Sequence, residues 1–349
     1  MNKLIFKKYT TDYKESILEL LAYKWNKLTP SVVKEKFEWR YEQNPYSSGQ
    51  TYIYLAISGA QVVGFRAFVI QHFTLGNTTY KVFNPADAIV HPNFRRMGIF
   101  SKLNEFFLTV LEGESNVLIL NTSSNNLSTP GNLKQGWKVM DYINRYGFKI
   151  NLLASLRNLI RLHEGKFKET VKEHRNDKIT FTKELRIDEI VSLNLENRNA
   201  QTLTHHRDEA YYRWRYSFHS RDNYYAYYYV ESRMVGYVIF KQTSRFQYVV
   251  QEYLSLNEKY LRLLINKSLR HFKISLLRVH AFSVKEKQIL SNTGFIFEPV
   301  KLIHIIGKVR LPFLVRPQVL NPSEKDFFLN NVLDIRNSHN WSFSQSAIH

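Results

Sequence analysis

The chain has 349 residues, 44% apolar and 23% charged, a composition typical of globular domains and not of disordered chains. It contains no cysteine, which excludes a disulfide scaffold, a thiol nucleophile and any cysteine-ligated metal centre. Its 49 basic and 30 acidic residues give a net charge of +19. This charge indicates either an anionic partner (a nucleic acid, a phosphorylated cofactor or an acidic membrane surface) or only ordinary solvated lysines.

The sequence shows no targeting or membrane-spanning segment. The most apolar stretch, residues 52–70, is interrupted by Gln61 and Arg66 and falls short of the roughly 20 apolar residues that a membrane span needs. The apolar run near Met1 is too short for a signal peptide. We therefore expect a soluble, cytoplasmic protein without disulfides.

The first 150 residues alternate between strand and helix periodicities. Apolar alternation predicts a strand at residues 3–9, a helix after Asp12 and a second helix that begins near Ser31 and ends before Asn44-Pro45. The remaining predicted elements are strands at 51–57, 62–70, 80–91 and 117–120, helices after Gly98 and before Gly136, and final strands within 142–153. This order predicts an α+β fold with a mixed sheet.

The second half repeats motifs of the first. Trp39-Arg40-Tyr41 followed by Gly64 corresponds to Trp214-Arg215-Tyr216 followed by Gly236, and Gly136-Trp137 corresponds to Gly294-Phe295. Such order-preserving recurrence indicates a tandem duplication. We therefore predict one domain at residues 1–153, a basic helical connector at 154–178 and a second domain of the same ancestry at 179–349.

The segment from Asp87 to Ser101 ends a predicted strand and opens a helix. A helix that follows a strand directly presents unpaired backbone N–H groups, and its dipole places partial positive charge at the same point. Arg95 and Arg96 add two full charges, and Gly98 lies within the turn. These features together predict a phosphate-binding loop.

This segment resembles motif A of the GNAT superfamily of acyl-CoA N-acyltransferases. Val90, Pro92, Arg95 and Gly98 match that motif, whereas Phe100 occupies the position of its second small residue. Asn125 and Ser128, followed by Gly136-Trp137, resemble motif B at the usual spacing. A side chain of this size is compatible with phosphate binding only if the Phe100 ring points into the core between helix and sheet, and a ring aimed at the phosphates would prevent binding.

The resemblance implies acetyl transfer from acetyl-CoA to an amine and two GNAT-like domains, each with a twisted, mostly antiparallel sheet. It implies that Ile89 and Val90 pair with the pantetheine arm and polarise the thioester carbonyl, and that the sheet splays after this strand. The residues that it assigns to the acetyl-CoA site are Ile89, Val90, Arg95, Arg96, Met97, Gly98, Ile99, Phe100, Ser101, Asn125 and Ser128.

The groups that would move protons are less clearly marked. An ammonium acceptor must lose a proton before it attacks, for which Asp87 is the first candidate base and His91 the alternative. The family commonly has a tyrosine acid four residues before the motif B glycine, where this chain has Asn132. The general acid therefore stays unassigned, with Tyr142 and Tyr146 in range along the sequence.

The second half is not equipped for the cofactor. Residues 255–264, where a second phosphate loop would fall, contain no glycine and carry Glu258. The tyrosines between 211 and 229 predict half-buried strand residues, or else a stacking face for sugars or bases. His205, His206 and Asp208 are adjacent in sequence, so we expect a turn or helix cap there and no metal site.

The sequence thus predicts an N-acetyltransferase acting on a primary amine of a small, anionic, possibly phosphate-linked acceptor such as an amino sugar. A Fem-type aminoacyl-tRNA-dependent transferase is one alternative, since such proteins pair two GNAT-like halves. A non-catalytic module that binds RNA or an anionic surface is the other. Nucleic acid is therefore a possible partner but not the favoured one.

Overall fold

A computed structural model describes residues 3–124, 128–141, 145–152, 154–155, 174–176, 178–297 and 312–344. Almost all of the predicted connector 154–178 lies outside these ranges, as do Asn125 and Tyr142. Within them, none of the helices has both the length and the apolar character needed to cross a bilayer.

Helices form where the apolar periodicity of 3.6 residues follows a capping residue. Asp208 and Ser283, for example, each accept a backbone N–H of the helix that follows. The helices are α1 (Lys14–Lys24), α2 (Pro30–Phe37), α3 (Ile99–Val110), α4 (Thr129–Lys134), α5 (Ile187–Glu196), α6 (Glu209–Arg215), α7 (Glu258–His271) and α8 (Val284–Asn292). A π-helical turn, Glu38–Glu42, extends α2.

The strands build two large sheets and one small hairpin. They are β1 (Leu4–Lys8), β2 (Ile53–Ser58), β3 (Gln61–Leu75), β4 (Thr78–Val90), β5 (Val117–Asn121), β6 (Lys138–Asp141), β7 (Arg145–Ile150), β8 (His174–Asn176), β9 (Ile179–Thr182), β10 (Leu203–His205), β11 (Asn223–Val230), β12 (Arg233–Ser244), β13 (Gln247–Ser255), β14 (Leu276–Ala281), β15 (Ile296–Phe297), β16 (Phe313–Arg316), β17 (Phe328–Leu329), β18 (Leu333–Asp334) and β19 (Trp341–Ser342).

Both large sheets have the same mixed topology. The first runs β1-β2-β3-β4-β5-β16-β6, with β10 and β19 attached beside β3, and the second runs β15-β7-β14-β13-β12-β11-β9-β8. Along each of these paths all neighbours are antiparallel except one parallel pair, β4–β5 in the first and β13–β14 in the second. The predicted α+β class with two mostly antiparallel sheets is confirmed.

Each half contributes strands to the sheet of the other half. We expected residues 142–153 to complete the first sheet, but β7 pairs with β14 and β15 of the second sheet. In return, β16 lies between β5 and β6 of the first sheet. Each sheet has a gap between two of its own strands, and a strand of the other half fills the gap and supplies the missing backbone donors and acceptors. The domain boundaries stay a prediction. They do not coincide with the limits of the sheets, because β7 and β16 each pair within the sheet of the other half.

A pair of indoles joins the halves. Trp39 donates its Nε1–H to the carbonyl of Trp214 at 2.8 Å, and Trp214 donates to the carbonyl of Trp39 at 2.6 Å. Their rings stack with centroids 5.3 Å apart. The surrounding core contains buried residues of both halves, among them Phe37, Tyr211 and Tyr227. The repeated Trp-Arg-Tyr motif thus lies on the pseudo-symmetric contact between the repeats.

We predict that Trp39→Phe and Trp214→Phe each lower the free energy of unfolding by about 1–3 kcal/mol, because each removes a buried indole hydrogen bond between the halves and part of a buried, stacked ring. Since both rings belong to one contact, the double variant should lose measurably less than the sum of the two. Urea denaturation of all four proteins measures this coupling.

Trp341→Phe provides the matched control, because the Trp341 indole donates to the carbonyl of Ile335 in a different core cluster. Its effect should add to that of Trp39→Phe within about 0.5 kcal/mol. Strict additivity of the Trp39 and Trp214 substitutions would contradict the reciprocal contact.

Candidate active site

The first sheet opens between β4 and β5. The two strands pair only from Lys81 to Phe83. Pro85 follows, which has no N–H to donate, and the pairing of β4 with β3 skips a residue next to Asp87. On the other side of the opening, Ser123 follows β5 and donates its hydroxyl hydrogen to the carbonyl of Pro85 at 3.0 Å. The predicted splaying of the sheet thus has a local cause.

A cavity of about 570 Å³ fills this opening. Its lining combines the free edge of β4, the end of β5, the start of α4 and side chains of α1 and α2. The lining residues are Lys24, Lys36, Arg40, Arg66, Pro85, Ala86, Asp87, Ala88, Ile89, Val90, Phe100, Asn121, Ser123, Ser128 and Gly131. Of the residues predicted to hold acetyl-CoA, Ile89, Val90, Phe100 and Ser128 are therefore brought together.

The loop from His91 to Gly98 lies at one end of this cavity and leads into α3. Arg96 and Gly98 both have left-handed backbone conformations, with φ of 64° and 72°. A Cβ on Gly98 would meet no atom within 4 Å, so the space above the loop is open. The first N–H groups of α3 have no acceptor within the helix. The exposed Arg95 and Arg96 add charge, which makes the loop suited to a pyrophosphate.

The other residues predicted around the loop have mixed environments. Met97 is partly buried, and Ile99 is buried against β3, where a Cβ on Gly64 would lie 2.6 Å from its Cγ2. Gly64 of the repeated motif thus permits close approach of α3 to the sheet. The carbonyl of Ser101 accepts a hydrogen bond from Gln135 at 3.1 Å.

The Phe100 ring does not point into the core between helix and sheet, which is the orientation named in the sequence analysis as compatible with phosphate binding. The ring lies 5.1 Å from the guanidinium of Arg66, and a Cβ on Gly131 would be 3.5 Å from it. The ring therefore lines the cavity between α3 and α4. Asn104 holds Arg66 in place by accepting its Nε–H at 2.9 Å.

Asp87 is the centre of a buried ionic cluster. Lys24 approaches one carboxylate oxygen at 2.5 Å, and Arg40 and the Tyr41 hydroxyl approach the other at 2.9 and 2.5 Å. Burial alone would raise the pKa of Asp87, but the charges of Arg40 and Lys24 and the hydrogen bonds from Lys24 and Tyr41 lower it to about 2. A carboxylate with that pKa is a poor proton acceptor at neutral pH. It fixes the directions of Lys24 and Arg40 instead.

Within the described residues, none of the other proton-transfer candidates lines the cavity. His91 packs against Tyr23 and lines a separate depression beside α1. Tyr146 lies on β7 in the second sheet, where its ring contacts His280. Tyr142 lies outside the described residues, and Asn132 is fully buried.

Sequence reasoning missed the cations of this cavity. Lys24, Lys36, Arg40 and Arg66 line it against one acid, Asp87. The ammonium of Lys36 lies 4.1 Å from the Trp25 ring, and burial and the charge of Arg40 lower the pKa of Lys36 to about 8. The only signal for this set was the position of Arg40 in the repeated Trp-Arg-Tyr motif.

The second half keeps the buried acid but not the loop. Glu252 lies opposite Ile239 beside a bulge, as Asp87 lies opposite Ala67. It is fully buried and binds Arg207 at 2.6 Å. Only two residues connect β13 to α7, whereas eight connect β4 to α3, and Glu258 occupies the first turn of α7. This geometry agrees with the prediction that the second half cannot hold acetyl-CoA in the family's manner.

The tyrosine-rich segment forms core and not a stacking face. The tyrosines at 224, 225, 227, 228 and 229 are each at most 9% exposed. Asp208 caps α6 by accepting the N–H of Tyr211 at 2.8 Å, and the described residues contain no cluster suited to a metal ion. The interpretation of the His205–Asp208 segment as a helix cap is confirmed.

We predict that Asp87→Asn lowers the free energy of unfolding by about 3–5 kcal/mol, because Arg40 then stays buried without its counter-ion. The pKa of Asp87 lies below its ordinary value of 3.8, so its stabilising effect is complete above about pH 4 and disappears as the pH falls towards 2. Urea denaturation of wild type and variant across this range measures both effects.

Asp12→Asn is the control, because Asp12 is an exposed acid of the same half. It should leave the unfolding free energy at neutral pH unchanged within about 0.5 kcal/mol. An Asp87→Asn protein as stable as the Asp12→Asn protein would show that the ionic cluster is not a structural anchor.

Comparisons with known proteins agree with this geometry. Residues 6–139 match the family model described as an acetyltransferase (GNAT) domain. The fold is similar to that of a conserved protein of unknown function, a probable N-acyltransferase, from Enterococcus faecalis V583, with a TM-score of 0.66 and 15% identity over 90% of this chain and 73% of that one. A search of curated proteins found no match.

Two further solved structures share the architecture. A GCN5-related N-acetyltransferase from Anabaena variabilis ATCC 29413 gives a TM-score of 0.63 at 10% identity, covering 91% of this chain and 73% of that one. A tandem GNAT protein from the clavulanic acid biosynthesis pathway gives 0.50 at 14% identity, covering 92% and 100%. At these identities the likeness concerns the fold. Residues 6–139 thus match the model of a GNAT acetyltransferase domain, and the likeness to the solved structures extends the same fold over about 90% of the chain.

Proposed function

We propose that the chain transfers an acetyl group from acetyl-CoA to the primary amine of a small anionic acceptor, by direct attack. The observation that carries this proposal is the cavity between β4 and β5, which meets an open, positively charged loop at one end and a cluster of cations at the other. The family match of residues 6–139 supports the choice of acetyl-CoA, which supplies the activated acetyl thioester.

The residues divide into two sets by the elements that carry them. The loop residues Arg95 to Ser101 would hold the phosphates of acetyl-CoA, and the free edge of β4 from Asp87 to Val90 would offer backbone groups to the pantetheine arm and the thioester. The side chains of α1 and α2 would face the acceptor. Holding the two reactants together in this cavity can contribute about 7–11 kcal/mol to catalysis.

The charged side chains that line the cavity would determine which amine fits. Lys24 and Arg40 are paired with Asp87, whereas Lys36 and Arg66 form no ion pair within the described residues. The cavity lining carries four cations and one anion, so an anionic acceptor would offset the excess. We assign Asp87 a positioning role through Lys24 and Arg40, because its low pKa makes it a poor base.

We predict that acetyl-CoA raises the thermal stability of the protein. At 100 times its dissociation constant, a ligand that binds only the folded state stabilises by about 2.7 kcal/mol. Gly98→Glu should abolish the shift, because the new carboxylate would occupy the open space above the loop. Thermal unfolding with and without acetyl-CoA is the measurement.

Gly113→Glu is a matched control. Gly113 also has a left-handed φ, of 86°, and open space around its Cβ position, but it lies beyond the other end of α3. This variant should keep the full shift. If wild-type protein shows no shift with acetyl-CoA or with CoA, the proposed function is wrong.

A further inference from the structure

A buried guanidinium lines the cavity without a charged partner. Arg66 lies on β3 and is only 4% exposed. It donates its Nε–H to Asn104, but its Nη2 is shielded from solvent and has no hydrogen-bond partner. Arg66 forms no ion pair with any other described residue. An unsatisfied donor on a buried charged group is costly and rare in folded proteins, and it is a recognised feature of groups that serve catalysis.

The register of the sheet places Arg66 on the face that α3 covers. Successive side chains of a strand point to opposite faces, and residues directly opposite each other on antiparallel strands share a face. Asp87 points towards α1 and the π-helical turn, whose cations it binds. Arg66 lies opposite Ala88, the next residue of β4, so it points to the other face. Its contacts with Phe100 and Asn104 of α3 agree with this placement.

Packing and hydrogen bonds hold the guanidinium of Arg66 in one position. Its central carbon lies 5.1 Å from the ring centroids of both Phe68 and Phe100. Asn104, which accepts its Nε–H, donates in turn to Gln135 at 2.7 Å. Burial lowers the pKa of Arg66 to about 10, so the group stays protonated at neutral pH. The cavity therefore contains a fixed positive charge on the side of α3.

The proposed reaction creates a negative charge for which no acid is assigned. Cleavage of the thioester releases CoA as a thiolate. At the position of the family's tyrosine acid this chain has Asn132, and an amide cannot protonate a thiolate. Both polar atoms of the Asn132 side chain are buried without a hydrogen-bond partner, and the residue does not line the cavity. Arg66 does line it, opposite Ala88 in the stretch of β4 that the proposed function assigns to the thioester.

We infer that Arg66 is a catalytic residue that stabilises the CoA thiolate as it leaves. This inference rests on the proposed function and adds the group that meets the departing charge. The nitrogen of the neutral amine attacks the acetyl carbon, the C–N bond forms, and the C–S bond breaks with its electron pair going to sulfur. The nitrogen then releases one proton to water. Arg66 donates hydrogen bonds to the thiolate but no proton, and it does so from a position fixed before the reaction.

The test measures the pKa of the thiol of bound CoA by the ultraviolet absorbance of the thiolate, with the desulfo-CoA complex as the reference for tyrosine ionisation. In wild type we expect this pKa to lie about 1 or more below that of free CoA, because a neighbouring cation favours the thiolate. Arg66→Met removes the charge but keeps an apolar stem between the two rings, and should return the pKa to that of free CoA. Arg66→Lys should give an intermediate value.

Arg221→Gln is the control, because it removes one positive charge from an exposed position of the second half. It should match wild type. If wild type binds CoA without lowering the pKa of its thiol, or if Arg66→Met keeps the wild-type value, the inference is overturned and the proposed function stands. If wild type does not bind CoA, both are wrong. The wild-type titration is decisive even if a variant fails to fold.

Discussion

The reciprocal hydrogen bonds between Trp39 and Trp214 are the contact on which the rest of the structure depends. Each indole donates to the backbone carbonyl of the other tryptophan, so the Trp-Arg-Tyr turns of the two halves are buried against each other. Arg40 and Tyr41 follow Trp39 directly, and both reach Asp87 at the bottom of the cavity. The contact between the repeats therefore also positions Arg40 in the lining of the cavity.

The exchange of β7 and β16 reinforces the same dependence. Because each sheet is completed by a strand of the other half, β5 beside the cavity pairs with residues of β16 that lie 193 to 197 positions away in the chain. The second half has kept the buried acid, Glu252, and its bulge, but it has a two-residue connection where the first half has the phosphate loop. Duplication thus preserved the scaffold in both halves and the binding loop in one.

Much of this could be predicted from the sequence, because local patterns determine it. Apolar periodicity gave the order of elements, Gly98 between a strand and a helix predicted the loop, and the repeated Trp-Arg-Tyr motif predicted the duplication. The strand exchange could not be predicted, since strand pairing is a backbone interaction that leaves no side-chain pattern naming the partner.

The approach of Lys24 to Lys36 and Arg40 could not be predicted either, because α1 meets the continuous helix of α2 and its π-helical extension only after packing. The sequence predicts Asp87 as a base for the same reason. The residues that lower its pKa lie at distant positions in the chain and approach it only after packing. The excess charge of the chain, +19, now has a partial explanation in the loop arginines and the cations of the cavity.

The central claim is that two halves of one ancestry form one acetyl-CoA site. Isothermal titration of the full chain with acetyl-CoA measures this directly through the stoichiometry. The account predicts one acetyl-CoA per chain, bound through the loop that ends at Gly98. A stoichiometry of two, or the absence of any binding, would contradict it.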